Sequence, residues 1–340
     1  MSATQIQTYT TTKEDPGLLK LYQNAAATQF GDWRDDFFKN GYAVIKNVIM
    51  PEKAKSYQDR ALDWLLSFDL GLDLKDTSTW NQKHLPKSFK SMYHSYCSGH
   101  EKFMWDARTE PGILKIYEDL WGTKELVVSF DGFNIGLPKR TDVEGTPWPH
   151  CDQAPSRKGL ACAQGFLNLA PSGPKDGGLL LMKGSAPLFE EFFSEPREMF
   201  TPPGGGPPKD FLDLFLFKQE HLDWFRDRGC ELIKVDCGPG DFVIWDSRTM
   251  HYAAFPEGEE IRTVFYICYT PRAFGEQEQM DLKARLFETY RGTTHWPHCN
   301  IRTSEPLMVD GKLDPMERLE PLEKPERTDL ILKLAAVKAW

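Results

Sequence analysis

The sequence predicts a mainly β protein with flanking helices, organised as an antiparallel sandwich or barrel. Three observations predict it. From about residue 112 the chain breaks into short apolar or β-branched segments, turn residues such as "PSGPKDGG" and "GPG" separate them, and helical spacing is confined to the flanks and one insert. Many short strands with regular turn punctuation form the pattern of a β-sandwich or barrel. The 340 residues fit one large domain of this class. The expected organisation is a single domain over 1–340, with an N-terminal helical region over about 1–120, a helical insert over about 186–229 and a C-terminal helix over about 326–339.

In chain order, "DPGLLKLYQNAAATQF" carries apolar residues at helical spacing behind Pro16. "GYAVIKNVI" follows Gly41 with the β-branched and aromatic content of a strand. "MPEKAKSYQDRALDWLLSF" returns to helical spacing, with Ala61, Leu62, Leu65 and Leu66 as the expected buried stripe. The stretch 70–105 is polar and aromatic without a period, which predicts long loops over a site. His94 and His100 lie in it at a spacing that suits neither a strand face nor a helix face, so they are expected as loop residues. "GILKIYEDLWG" predicts a helix stopped by Gly122. The expected strands are "ELVVSFDGFNIGL", "GLACAQGFLNLA", "GGLLLMKGS", "ELIKVDCG", "GDFVIWDS" and "IRTVFYICYTP". The insert carries a loop, "TPPGGGPP", with no apolar side chain for a core. The tail "ERTDLILKLAAVKAW" has a helical pattern suited to docking outside the sheets.

Composition excludes several functions. The chain is 40% hydrophobic and 27% charged, with a net charge of -9 and a pI near 5.5, so nothing attracts a polyanion. Nucleic acid and membrane are therefore not expected partners. The N-terminus lacks a basic start followed by an apolar run, and a cytoplasmic location is expected. The seven cysteines contain no Cys-x-x-Cys pair, which suits reduced thiols. The oligomeric state stays open, with a homodimer as one candidate.

One tetrapeptide occurs twice. "TPWPHCDQAP" places His150 and Asp152 two residues apart, and "THWPHCN" places His298 and Asn300 in the same relation. In a strand, residues i and i+2 share a face, so His150 and Asp152 converge while Cys151 points away. Downstream, "GPGDFVIWDSRTMHYAAFP" gives a turn, an apolar strand and then His251 at its end. Arg262 opens another strand eleven residues later. Two histidines and one carboxylate make the facial triad of non-haem Fe(II) oxygenases, which leaves coordination positions open. A keto-acid cosubstrate and dioxygen use those positions, and a buried arginine fork fits the far carboxylate of 2-oxoglutarate. Arg262 stands where such a clamp belongs. His-x-Asp alone is a common match, and the combination with His251 and Arg262 in a β-rich region carries the weight.

These residues resemble the phytanoyl-CoA dioxygenase-like branch of the Fe(II)/2-oxoglutarate oxygenases. The resemblance runs from "FFKNGYAVIKNVI" to "YICYTPR", and "DGGLLLMKGSA" is similar to a characteristic turn of that branch. This chain departs from that turn at Lys183 and Ala186, so Gly184 and Ser185 are given no catalytic role. The resemblance implies a double-stranded β-helix (a jelly-roll or cupin-like barrel) and the cofactors Fe(II) and 2-oxoglutarate. It implies His150, Asp152 and His251 as catalytic metal ligands and Arg262 as the cosubstrate clamp. The implied reaction is oxidation of a small organic molecule by dioxygen, as hydroxylation, desaturation or oxidative cyclisation, with release of succinate and CO2. Related halogenases lose the carboxylate, so Asp152 argues against halogenation. The alternatives are a catalytically silent β-barrel binding module and a cupin-type metalloenzyme that uses no keto acid.

The second copy has a neutral Asn300 and no downstream histidine followed by a basic clamp. It is expected as an aromatic, proline-rich loop that borders the substrate mouth at most. Trp148 shares the face of His150, and wall or core are equally open to it. Gln164 and Asn168 alternate on an apolar strand and need partners when buried. Gln164 is the candidate to hold the near carboxylate of 2-oxoglutarate, with a structural role as the alternative. Asp131 and Asn134 are candidates for the pocket wall, and Arg248 is expected to pair with a carboxylate near Asp246.

Overall fold

The structure is a computed structural model and describes residues 28–140, 142–143, 147–197 and 213–340. Most of the helix expected over residues 15–30 and all of the "TPPGGGPP" loop lie outside the described residues.

The strands in chain order are β1 (Tyr42–Ile45), β2 (Met92–Tyr93), β3 (Leu126–Val128), β4 (Phe133–Gly136), β5 (His150–Cys151), β6 (Ala163–Asn168) and β7 (Asp176–Lys183). They continue with β8 (Phe215–Leu216), β9 (Glu231–Lys234), β10 (Phe242–Asp246), β11 (His251–Pro256), β12 (Arg262–Tyr266) and β13 (Tyr269–Pro271). One sheet has the order β1-β10-β6-β12-β4-β2, and the second has the order β8-β5-β11-β7-β9. Every pairing within them is antiparallel. The chain passes from β4 in the first sheet to β5 in the second, then to β6, then to β7, and alternates again from β9 through β12. That alternation winds the chain helically around a common interior, which is the double-stranded β-helix.

The outer face of each sheet is covered. Helices Trp33–Asn40, Pro51–Leu66, Lys102–Arg108 and Pro111–Trp121 lie with the first sheet in one core that includes Phe37, Tyr57, Trp64, Phe103, Phe133 and Phe265. Fully burying an aromatic or aliphatic side chain of this kind stabilises by about 1.5–3 kcal/mol. The buried stripe of Pro51–Leu66 consists of Ala54, Tyr57, Ala61, Trp64 and Leu65, and Leu66 is exposed instead. The 3.6-residue period puts Ala54, Tyr57, Ala61 and Trp64 on one line, and Leu66 falls past its edge. Helix Pro111–Trp121 ends at Gly122 as expected, with the glycine at φ 67° donating its N–H to Glu118.

The second sheet is covered by the insert, through Phe189, Phe192, Phe215, Phe217, Leu222 and Phe225. The insert is not wholly helical. Helices Phe189–Phe192 and Gln219–Arg226 flank β8, which pairs with β5 and adds an edge to the sheet. The C-terminal helix is shorter than expected, Asp329–Leu334, capped by Thr328, and buries Ile331 and Leu334 in the first core. Segment 70–105 is mostly loop as expected, broken by single turns of 3-10 helix and by β2, and its last residues open helix Lys102–Arg108.

Candidate metal centre and active-site cavity

Register brings the two histidines together. His150 on β5 lies directly opposite His251 on β11, with ring centroids 4.4 Å apart. Asp152 follows β5 immediately, its N–H bonded to the Ser247 carbonyl. Its Oδ2 lies 3.6 Å from His150 Nε2 and 3.2 Å from His251 Nε2. One ligand atom from each of the three residues falls within 4.8 Å of the others. His251 opens β11 and does not close β10, because the segment from Ser247 to Met250 turns the chain between sheets. Cys151 points to the opposite side, into the aromatic cluster under the insert.

Both imidazoles are oriented by the backbone. His150 Nδ1 is 2.9 Å from the Trp148 carbonyl, and His251 Nδ1 is 2.9 Å from the Thr249 carbonyl. A carbonyl only accepts, so each Nδ1 carries the proton and each Nε2 lone pair faces the centre. Burial lowers the His150 pKa, which favours the neutral, metal-binding form. Burial opposes the charge on Asp152, but His150 and His295, with contacts to His150 and His251, hold the carboxyl well below its usual range. Two neutral imidazoles and an ionised carboxylate form a donor set suited to a divalent transition metal, with open positions facing the cavity.

A tryptophan backs each histidine. Trp148 stacks on His150 at 3.9 Å with 19° between the planes, and Trp245 stands edge-on to His251 at 5.5 Å. Trp148 is therefore a wall of the site and not buried core. The triad opens into a cavity of about 370 Å³ that also holds Arg262, Asn134, Asp131, Trp148 and Gln164. Arg262 is buried at the start of β12, opposite Gly136, and donates to Asn134 Oδ1 at 2.8 Å. No carboxylate pairs with this guanidinium among the described residues. A buried, unpaired guanidinium facing a cavity fits the distal carboxylate of a dicarboxylate cosubstrate. Gly178 makes room for it: a Cβ there would stand 2.7 Å from Arg262 Nε.

Gln164 faces the cavity, but its Nε2 donates to Asp152 Oδ2 at 2.9 Å. The amide therefore orients a ligand of the triad through one N–H, and its second N–H is not engaged by Asp152. Asn168 is structural, with Nδ2 bonded to the Ala170 and Gly238 carbonyls. Arg248 forks onto Asp246 as expected, both of them buried. Ser185 Oγ accepts from the Met250 N–H and so supports the turn before His251 without touching the cavity chemistry.

The second tetrapeptide copy has two fates. His298 is buried outside the cavity, its Nδ1 3.1 Å from Thr270 Oγ1, and Asn300 bonds to Asp213. His295, three residues before His298, lines the cavity, and its Nε2 is buried without a hydrogen-bond partner among the described residues. Nothing in its local sequence distinguishes it, since the loop that carries it returns from beyond the last strand. His94 also lines the cavity, paired with Asp131 at 3.0 Å, whereas His100 is a core residue bonded to the Arg291 carbonyl. Among the described residues no helix is long and apolar enough to cross a membrane.

The chain is 48% identical over 269 residues to the Ava biosynthesis cluster protein O of Aspergillus versicolor, covering 79% of this chain and 87% of the relative. Among solved structures it is similar to the α-ketoglutarate-dependent carbocyclase SnoK of nogalamycin biosynthesis, at 15% identity and a TM-score of 0.49, over 84% of this chain and 96% of that one. It is also similar to the epimerase SnoN in complex with Fe3+, α-ketoglutarate and nogalamycin RO, at 16% identity and a TM-score of 0.48, over 85% and 96%. The model of one family, phytanoyl-CoA dioxygenase (PhyH), matches residues 37–264, two thirds of the chain and all of the residues built into the site above except the loop of His295. The chain belongs to the phytanoyl-CoA dioxygenase family.

Proposed function

We propose that this protein is a non-haem Fe(II)/2-oxoglutarate-dependent oxygenase that oxidises a small organic molecule of secondary metabolism. The reaction is a hydroxylation, desaturation or oxidative cyclisation, with succinate and CO2 as co-products. The observation that carries this reading is the presence, in one cavity, of a His-Asp-His triad and a buried arginine with no carboxylate partner among the described residues. The relative named for a biosynthesis cluster supports the metabolic setting.

Fe(II), with 2-oxoglutarate and dioxygen, supplies the oxidising power when bound, as the keto acid loses CO2 and becomes succinate. The protein's own residues hold and shield this chemistry. His150, Asp152 and His251 would hold the metal, and the Trp148 and Thr249 carbonyls fix the tautomer of each imidazole. Gln164 keeps Asp152 turned inward. Arg262, steadied by Asn134, would hold the far carboxylate of the keto acid. Trp148, Trp245, Phe166 and Tyr252 give the cavity an aromatic lining that excludes water, while Thr294 and His295 supply polar atoms on the opposing loop. The substrate that fits is a small, largely apolar or aromatic molecule with a few hydrogen-bonding groups.

The test is Fe(II)-dependent succinate formation from 2-oxoglutarate, measured as uncoupled turnover, beside anaerobic Co(II) titration. Wild type should bind the metal stoichiometrically and release succinate only with Fe(II). His150→Ala, Asp152→Ala and His251→Ala should lose turnover while keeping the circular dichroism of the folded protein. Full turnover in any one of them overturns the triad.

A further inference from the structure

We infer that Trp245 is a cosubstrate-binding residue, whose indole N–H donates a hydrogen bond to a carboxylate oxygen of the keto acid between the triad and Arg262. The inference rests on the 2-oxoglutarate reading above and assigns it a donor that the metal triad and the arginine fork do not supply.

The geometry starts from register. On the paired strands Trp245 lies directly opposite Gln164, and Val243 opposite Phe166. Gln164, Phe166 and Trp245 all line the cavity. The Trp245 ring is 5.5 Å from that of His251 and 5.9 Å from that of Phe166. The Phe166 ring in turn lies 5.5 Å from the Arg262 guanidinium carbon. His251, Trp245, Phe166 and Arg262 thus form one continuous row from the triad to the clamp. A molecule held by both ends of that row must lie along it.

The polar atoms of the row decide what that molecule offers. Trp245 is 3% exposed, and its Nε1 is buried with no hydrogen-bond partner among the described residues. An indole N–H can only donate, and leaving it unmet in the interior costs stability. The side chain opposite does not meet it: Gln164 turns its Nε2 to Asp152, and its Oε1 makes no bond with the indole N–H. A carboxylate oxygen entering the cavity satisfies the N–H, and a charge-assisted bond of this kind is stronger than a neutral one. Phe166 then packs on the methylene segment of the same molecule. Trp245 therefore supplies a donor beside the second N–H of Gln164.

The experiment measures 2-oxoglutarate binding by calorimetry on anaerobic, Co(II)-loaded full-length protein, so that no turnover is needed. The variants are Trp245→Phe, which keeps a ring and removes the donor, and replacement of Trp245 by 3-benzothienylalanine, which keeps the bicyclic shape without the N–H. Both should bind 2-oxoglutarate about tenfold or more weakly than wild type, the loss expected for one hydrogen bond to a charged group. Co(II) affinity should be unchanged. The benzothienyl variant guards against a folding defect in the phenylalanine variant. If it binds 2-oxoglutarate as tightly as wild type, the N–H meets water or substrate and the inference is overturned. Wild-type protein that binds Co(II) but not 2-oxoglutarate would overturn the proposed function, and this inference with it. Arg262→Ala separates the two: lost affinity there with none lost at Trp245 keeps the reading and removes the inference.

Discussion

Gln164 Nε2 lies 2.9 Å from Asp152 Oδ2, so the single carboxylate of the triad is held in place by a side chain from the opposite sheet. An outer partner of this kind fixes the orientation of a metal ligand, and its loss typically costs about 10–100-fold in metal affinity. Gln164→Leu should weaken Co(II) binding in that range while leaving 2-oxoglutarate affinity at saturating metal little changed. Calorimetric titrations of each ligand separate the two. The reverse pattern, with intact metal affinity and weakened keto-acid binding, would make Gln164 a cosubstrate residue after all.

The second tetrapeptide copy predicts a different split. Asn300→Ala removes a bond to Asp213 on the far side of the loop, and His298→Ala removes a buried ring packed against Trp296 and Phe274. Neither touches the triad. Both variants should keep stoichiometric Co(II) binding, and His298→Ala should also melt several degrees lower, because it leaves a cavity. Loss of metal stoichiometry in either would place the metal at the second copy.

Much of the site was legible because its residues carry chemistry at a fixed spacing. His150 and Asp152 straddle Cys151, a two-residue period that only a strand turns into convergence, and His251 is brought opposite His150 by antiparallel pairing. Trp245 was not legible. Every residue of β10 is buried, so no alternation marks which side chains face the cavity and which face the helical layer. His295 was hidden for another reason: its loop comes back to the cavity from beyond the last strand, and that contact is set by tertiary packing. Of the expected stripe Ala61 and Leu65 are buried and Leu62 packs partly against the core, whereas Leu66 is exposed because it falls past the line through Ala54, Tyr57 and Trp64. A strand inside the insert, β8, was missed because two residues give no period.

Two buried histidines outside the site set an acid limit on stability. Burial above all lowers both His100 and His298 to about 3, with Arg108 and Lys283 adding to the effect at His100, and Arg157 and Lys283 at His298. In the unfolded chain each titrates near 6.5. Above that pH both states are neutral and the stabilising difference is fully present. As pH falls from about 6.5 toward about 3 the unfolded chain takes up protons that the folded chain refuses, and stability drops. The slope approaches about 1.4 kcal/mol per pH unit for each histidine. Denaturant midpoints measured between pH 7.5 and 4.5 should fall, and His298→Gln should fall less steeply over the same window. An unchanged slope would mean that His298 titrates normally in the folded protein.

Arg262 separates a 2-oxoglutarate enzyme from other metal-binding β-barrels. Its guanidinium is buried, held by Asn134 at 2.8 Å and without a carboxylate among the described residues, so the keto acid would complete a charge pair shielded from water. Removing one partner of such a pair typically costs about 3–5 kcal/mol. Arg262→Ala should therefore raise the 2-oxoglutarate requirement by roughly two or more orders of magnitude, at about 1.4 kcal/mol for each tenfold. Metal binding should survive, because Arg262 is not one of the three ligands. Lysine should rescue only in part, since a point charge cannot reproduce the fork or the bond to Asn134. Gly178 offers an independent probe. A methyl group there would stand 2.7 Å from Arg262 Nε, at a backbone φ of +100°, so Gly178→Ala should displace the fork without deleting it. Its titration should fall between wild type and Arg262→Ala. A 2-oxoglutarate titration of succinate release over the four proteins checks the series. An alanine variant with an unchanged midpoint would move the clamp elsewhere, and Arg272, the next arginine in sequence, is engaged with Gly275 and Gln277 outside the cavity lining.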